Sequence, residues 1–264
     1  RIHPELSQLP ATDYQFSIFM KLNISGVERW YEVATGNFTI QRGASVPSQG
    51  YNVESILILM QEYKPVRNAG TRGYIVIRGL RYYNETAGRV ETLDKVVVGF
   101  TIKKSDSEQY ISFERPIPAM VNYPFDMIIT SVTLGNTEIP LLQPYNVTKQ
   151  LREMGIYGLA DLWRSPVVDF AELGVTGIVS IQAVDSSGVP RSDWTVQVLY
   201  GNITVAQGAG QLQLVLPRTD VLGQSYTVNV ITNAITPDGK ALVKTQTLEL
   251  RQKAFQLQIP VITV

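Results

Sequence analysis

The sequence predicts an all-β protein: two antiparallel β-sandwich domains joined by a short, partly helical connector. Three observations predict it. Apolar and polar residues alternate along many short stretches, which is the period of a half-buried strand. Clusters of Gly, Asn, Asp, Ser and Pro separate these stretches, and those are the residues of tight turns. A helical period shows in one place only, between Thr148 and Trp163.

Residues 1–12 read as an extended arm. Pro4 and Pro10 keep it out of a central strand, and its apolar points are Ile2, Leu6 and Leu9. The N-terminal sandwich covers 13–146. Its first strand has the clearest pattern in the chain. Tyr14, Phe16, Ile18, Met20, Leu22 and Ile24 alternate with Gln15, Ser17, Lys21, Asn23 and Ser25, and only Phe19 breaks the polar series. Further strands are expected over 30–35, 38–41, 53–63, 74–83, 90–103, 110–114 and 125–134, with Gly36-Asn37 dividing the first two of these. Turn clusters fall at 42–47, 68–70 and 105–107. The stretch 53–63 is nearly continuous apolar sequence, which a buried helical turn satisfies as well as a strand.

The connector covers 147–173. Thr148 is placed to cap a short helix with Leu151, Met154, Leu159, Leu162 and Trp163 as its apolar stripe. Gly155 and Gly158 each weaken that helix by about 1 kcal/mol relative to Ala, and Ser165-Pro166 ends it. Trp163 and Phe170 are the side chains expected to pack it against both domains.

The C-terminal sandwich covers 174–264, with strands expected at 177–184, 194–200, 203–207, 211–216, 225–232, 241–250 and 254–259. Val179, Ile181 and Ala183 share one face of its first strand. Trp194, Val196, Val198 and Tyr200 share one face of the second. The turn Asp185-Ser-Ser-Gly188-Val-Pro190 lies between, so the two read as an antiparallel pair. Gly201-Asn202 suits a type II′ hairpin, and Pro237-Asp-Gly239 is a second strong turn. Seven short strands in about ninety residues match an immunoglobulin-like sandwich in count and spacing.

Composition narrows the function. The chain has 264 residues, enough for one large or two ordinary domains, and 44% hydrophobic residues supply a core. Charged residues are only 17%. Lys plus Arg equals Asp plus Glu at 23 each, which leaves no electrostatic footprint for nucleic acid or an anionic membrane. No cysteine is present, so disulfides, thiolate metal sites and cysteine nucleophiles are excluded. The single histidine, His3, lies in the arm, where it makes a poor base for a serine triad. The longest apolar run, Ile56 to Met60, is far short of the roughly 20 residues of a membrane span. The chain opens at Arg1 with neither Met nor a leader, as expected of a processed or excised segment.

Five of the eleven asparagines stand in N-x-S/T: Asn23, Asn37, Asn84, Asn146 and Asn202. With 37 Ser and Thr residues in the chain, chance supplies roughly one or two. The excess points to an extracellular glycoprotein. Asn37 and Asn202 sit at expected turns, and Asn23 sits on the polar side of a strand. No cofactor is expected. Calcium stays open because it needs only oxygen ligands, and Asp185, Asp193, Asp220 and Asp238 all occupy loops of the second domain. Ordinary Asx-turn chemistry accounts for the same residues. Asp106 and Glu108 read as solvated turn charges rather than a glycosidase pair. In Trp30-Tyr31 and Tyr82-Tyr83, one ring of each pair belongs to the core and the other to a contact with a neighbouring subunit or a sugar.

The opening of the second domain, Asp185-Ser-Ser-Gly188-Val-Pro190 between Val184 and Trp194, resembles the transthyretin-like or carboxypeptidase-regulatory-like sandwich module. That module serves as a stalk or spacer in secreted and surface proteins. The Thr, Tyr, Val and Asn usage, the sequons and the lack of Cys are similar to archaeal surface-layer or surface-filament glycoproteins. The resemblance implies a non-catalytic cell-surface protein that joins to itself, or to adjacent domains of a larger surface protein. Two other readings stay open: a carbohydrate-binding accessory region or adhesin of a secreted protein, and a virion surface protein.

Overall fold

The computed structural model describes residues 13–39, 59–69, 71–105, 107–119, 121–164 and 167–260. The fold is all-β. Strands β1 (Asp13–Ile24) and β2 (Val27–Thr39) form a long hairpin around Ser25 and Gly26. Both turn residues have positive φ, 52° and 82°, the type I′ pattern that matches strand twist. The pairing slips between Ile18 and Phe19, leaving Val33 of β2 as the extra residue. Because the extra residue lies in β2, β1 keeps its alternation: Phe16, Ile18, Met20, Leu22 and Ile24 share the face of Tyr31, and Phe19 takes the face of Trp30. β2 also runs unbroken through Gly36 and Asn37, which pair with Phe16 and Gln15, so no turn divides it. The Phe16 ring lies over Gly36, in the space a Cβ would take.

Next come β3 (Leu59–Arg67), β4 (Arg72–Arg78), β5 (Arg81–Asn84), β6 (Arg89–Thr92), β7 (Lys95–Lys104), β8 (Gln109–Pro118), β9 (Phe125–Leu134) and β10 (Thr137–Asn146). The described part of 53–63 is strand. The expected strands 74–83 and 90–103 each divide in two and change sheets. β4 and β7 lie in a seven-stranded sheet of order β10-β9-β4-β7-β8-β3-β11, where β11 is Val168–Asp169. β5 and β6 lie in a four-stranded sheet of order β1-β2-β5-β6. Gly79, at φ 70°, makes the first corner, and the Leu93 N–H donating to the Leu80 carbonyl at 2.8 Å clasps the two crossings together. β10 lies beyond the last strand expected, 125–134, and carries Pro140 and Pro144. It is the sheet's edge, where proline is tolerated, and its ladder breaks between Pro140 and Tyr145.

The connector holds two helices, α1 (Thr148–Glu153) and α2 (Leu159–Arg164), separated by Gly155 at φ 83°. Leu151, Leu159 and Leu162 are buried as expected, but Met154 and Trp163 are 38% and 40% exposed. Trp163 is therefore not a packing anchor. Phe170 is fully buried, and β11 pairs in parallel with β3. Thr148 is the first helical residue rather than the cap. Its hydroxyl accepts the Met127 N–H at 3.1 Å, and its own N–H donates to Asn146 Oδ1 at 2.9 Å.

The C-terminal half contains β12 (Thr176–Val184), β13 (Thr195–Tyr200), β14 (Ile203–Ala209), β15 (Gln211–Pro217), α3 (Thr219–Leu222), β16 (Tyr226–Ile235), β17 (Ala241–Leu248) and β18 (Ala254–Pro260). The seven strands match the expected stretches. They form sheets of order β15-β12-β18 and β14-β13-β16-β17. β12 and β13 do not pair as a hairpin. They belong to opposite sheets, joined at the loop by a single bridge between Val184 and Pro190. The reason is packing. Val179, Ile181 and Ala183 and the facing Trp194, Val196 and Val198 are all at most 5% exposed, so these strands meet across the core, not edge to edge.

Sheets divide along the chain: two draw on 13–146 with 168–169, and two on 176–260. The buried side chains do not divide. One cluster continues from Ile24 through Leu151, Leu159, Phe170 and Val175 to Leu250.

Candidate functional site: sequon asparagines and an aromatic sheet face

The five sequon asparagines occupy different local structures. Asn202 stands exposed in the two-residue β13–β14 turn, after Gly201 at φ 56°, with Thr204 also exposed. Asn23 is exposed on β1 next to the hairpin tip, and Asn37 is exposed within β2. Asn146 is exposed at the end of β10, its Oδ1 held by the Thr148 N–H. Asn84 differs. Its Oδ1 accepts the N–H groups of Thr86 and Ala87, and its Nδ2 donates to Glu91 at 3.0 Å. Glu91 Oε2 also accepts the Tyr82 hydroxyl at 2.7 Å, and Arg89 Nε lies 3.1 Å from Oε1. Bonds from Asn84, Tyr82 and Arg89 hold the Glu91 carboxyl at a pKa of about 2. Asn84 is thus a structural member of the β5–β6 turn.

The loop aspartates are already engaged. Asp185 accepts the N–H groups of Ser187 and Val189 and closes the turn at Gly188, φ 79°. Asp193 takes both nitrogens of Arg191 at 2.9 and 2.8 Å, plus Asn233 at 2.8 Å, and the Arg191 bonds lower its pKa. Arg191 also lies over the Trp194 ring at 4.5 Å. Asp220 pairs with Arg218, while Asp238 accepts the Thr236 hydroxyl and lies 3.5 Å from Lys240. Among the described residues no group of three or more His, Cys, Asp or Glu gathers to hold a metal. Asp106 and the arm with His3, Ile2, Leu6 and Leu9 lie outside the described residues. Glu108 is an exposed turn residue.

The aromatic pairs separate by register. Trp30 lies opposite Tyr83, and Tyr31 opposite Tyr82. Tyr31 is fully buried and Tyr82 packs against the core. Trp30 and Tyr83 share the other face with Phe19, whose ring centroid is 6.1 Å from that of Tyr83. Tyr83 and Val90 on this face are 39% and 38% exposed, well above the core residues. A sheet face carrying three partly exposed aromatics and Val90 is unlike a solvated surface.

Two features escaped sequence reasoning. Glu32 is 2% exposed, with Arg81 NH1 at 3.1 Å; the Tyr123 hydroxyl donates to the Glu32 carbonyl at 3.0 Å. Burial pushes the Tyr123 hydroxyl up to about 12, so it keeps its proton and serves as the donor. The available signal was the acid inside the run Tyr31-Glu32-Val33-Ala34. The second feature is a shallow groove of about 670 Å³ between β9 and the connector, lined by Asp126, Asn146, Lys149, Arg152, Glu153 and Tyr157. All but Asp126 come from the stretch 146–157, and no local motif announces it.

Among the described residues no helix is long and apolar enough to cross a membrane. No protein-family model matches the chain, and no curated protein matches it.

Proposed function

We propose that this chain is a non-catalytic structural glycoprotein of a cell surface, of the archaeal surface-layer or surface-filament kind, which works by assembling with copies of itself. The apolar face of the β1-β2-β5-β6 sheet carries this reading. Phe19, Trp30, Tyr83 and Val90 lie together there, and from Ile18 to Asn23 no described strand continues the sheet beyond β1. A second copy covering that face buries apolar area, and an added strand satisfies a row of backbone donors and acceptors. The equal counts of 23 positive and 23 negative side chains oppose no such contact at long range. The arm carrying Ile2, Leu6 and Leu9 is the proposed added strand. Exposed Asn23, Asn37, Asn146 and Asn202 support the extracellular, glycosylated part of the reading, and the closed Asp185–Pro190 turn fits the stalk-type module it resembles.

The test places charge on the face. Tyr83→Lys with Val90→Lys alters side chains that are 39% and 38% exposed, so the monomer should fold with a nearly unchanged Tm. Assembly, followed by sedimentation and electron microscopy of native-like material, should be lost. Undiminished polymers from the double variant would overturn the assignment of this face. An intact mass of 29.4 kDa from native material would overturn glycosylation.

A further inference from the structure

We infer that the groove beside Asn146 is a saccharide seat, holding the first sugars of a glycan attached to Asn146 itself. The inference rests on the glycoprotein reading above and gives that glycan a place on the fold. Asn146 stands on the groove's wall, and the acceptance of the Thr148 N–H by its Oδ1 at 2.9 Å leaves Nδ2 as the free end of the amide. Thr148 is itself fixed by the Met127 N–H to its hydroxyl, so the attachment point is rigid. The groove has the chemistry that sugars use. Tyr157 is 57% exposed, an aromatic face to set against the C–H side of a pyranose. Around it are planar polar groups for hydroxyls. Asp126 is held by Arg78 at 2.8 Å and lies 3.6 Å from Arg152, and Lys149 lies 3.8 Å from Glu153. Opposed charges satisfy one another, so the groove selects neither anion nor cation. A volume of about 670 Å³ lies in the range of small-ligand sites. Attachment at the rim removes most of the association cost, so weak stacking suffices.

The experiment compares the whole 264-residue chain made in a glycosylating secretory host and in a non-glycosylating bacterial cytoplasm. Each is made with Asn146 intact and as Asn146→Gln. Peptide mapping gives occupancy, and thermal unfolding gives the Tm. The Asn146→Gln loss in the glycosylated pair, less the loss in the unglycosylated pair, isolates the glycan. We expect about 2–4 °C, falling to nothing in a Tyr157→Ala background whose Asn146 occupancy is unchanged. An occupied Asn146 with no Tyr157-dependent contribution overturns the seat while leaving the glycoprotein reading standing. An unoccupied Asn146 in native material overturns the seat, and the reading is then decided at the other sequons. N,N′-diacetylchitobiose is also titrated into the unglycosylated chain. Tyr157-dependent binding there, with no contribution from the attached glycan, would assign the groove to a foreign saccharide and overturn the inference as stated.

Discussion

Replacing Phe170 with alanine is expected to weaken both halves of the molecule together. Phe170 is fully buried at the point where the chain passes from β11 to β12. Its N–H donates to the Arg67 carbonyl at 3.0 Å, and its carbonyl accepts the Val175 N–H at 3.0 Å, so its backbone ties β3 to the approach of β12. Its ring belongs to the buried cluster that continues from Ile24 to Leu250. Truncating a buried Phe costs about 3–5 kcal/mol. In a chain of this size each kcal/mol lowers Tm by roughly 2–4 °C, so a fall of about 6–20 °C is expected. Tryptophan fluorescence reads the two halves separately. Trp194, 5% exposed, reports on the C-terminal sheets in a Trp30→Phe, Trp163→Phe background. Trp30 reports on the N-terminal sheet in a Trp163→Phe, Trp194→Phe background. Both probes should move to the same lower midpoint. If one probe keeps its original midpoint, or if the loss is below about 1 kcal/mol, the continuous core does not couple the halves.

Two further outcomes follow from particular contacts. Gly73→Ala should destabilise the protein by about 1–3 kcal/mol, because a Cβ there would lie 2.1 Å from the Ile128 carbonyl oxygen between β4 and β9; an unchanged urea midpoint would refute this close approach. Glu91, held near 2 by Asn84, Tyr82 and Arg89 against its ordinary value of 4.5, is depressed on folding, so its contribution is full above about pH 4.5 and is lost as pH falls toward 2. Glu91→Gln should flatten that part of the acid limb in urea titrations across pH, and an unaltered slope would show the carboxylate is not engaged in solution.

Local pattern carried much of the fold. Alternation from Val179 to Ala183 and from Trp194 to Tyr200 identified core-facing strands, and the structure buries those side chains. Gly201-Asn202 and Pro237-Asp-Gly239 marked turns because positive φ and Asx chemistry are properties of a few adjacent residues. The sequons were equally legible, since a tripeptide contains the whole motif. What sequence could not supply was which strand lies beside which. Alternation changes phase by one residue at Gly79, from Ile75 and Ile77 to Leu80 and Tyr82, which a bulge gives as readily as a change of sheet, so nothing local shows that β4 and β5 enter different sheets. The same limit made β12 and β13 look like a hairpin. β10 was hidden for the opposite reason. Pro140 and Pro144 count against a strand locally, and only a position at the sheet edge removes the objection.

The sequence by itself therefore determined the class, all-β with a short helical connector, along with the turns, the inward faces and the candidate acceptor asparagines. Each depends on the order of neighbouring side chains. Tertiary structure alone decided that Asn84 is bound into the β5–β6 turn while Asn202 stands free in its own. It also decided that Phe19, Trp30 and Tyr83 share one exposed face, and that Asp126 meets Asn146 and Tyr157 around a groove. The Asn84 network closes within 82–91, but only once β5 and β6 pair. The aromatic face and the Asp126 wall of the groove join residues far apart in the chain, and their free energy comes from burying surface and pairing charge across the fold.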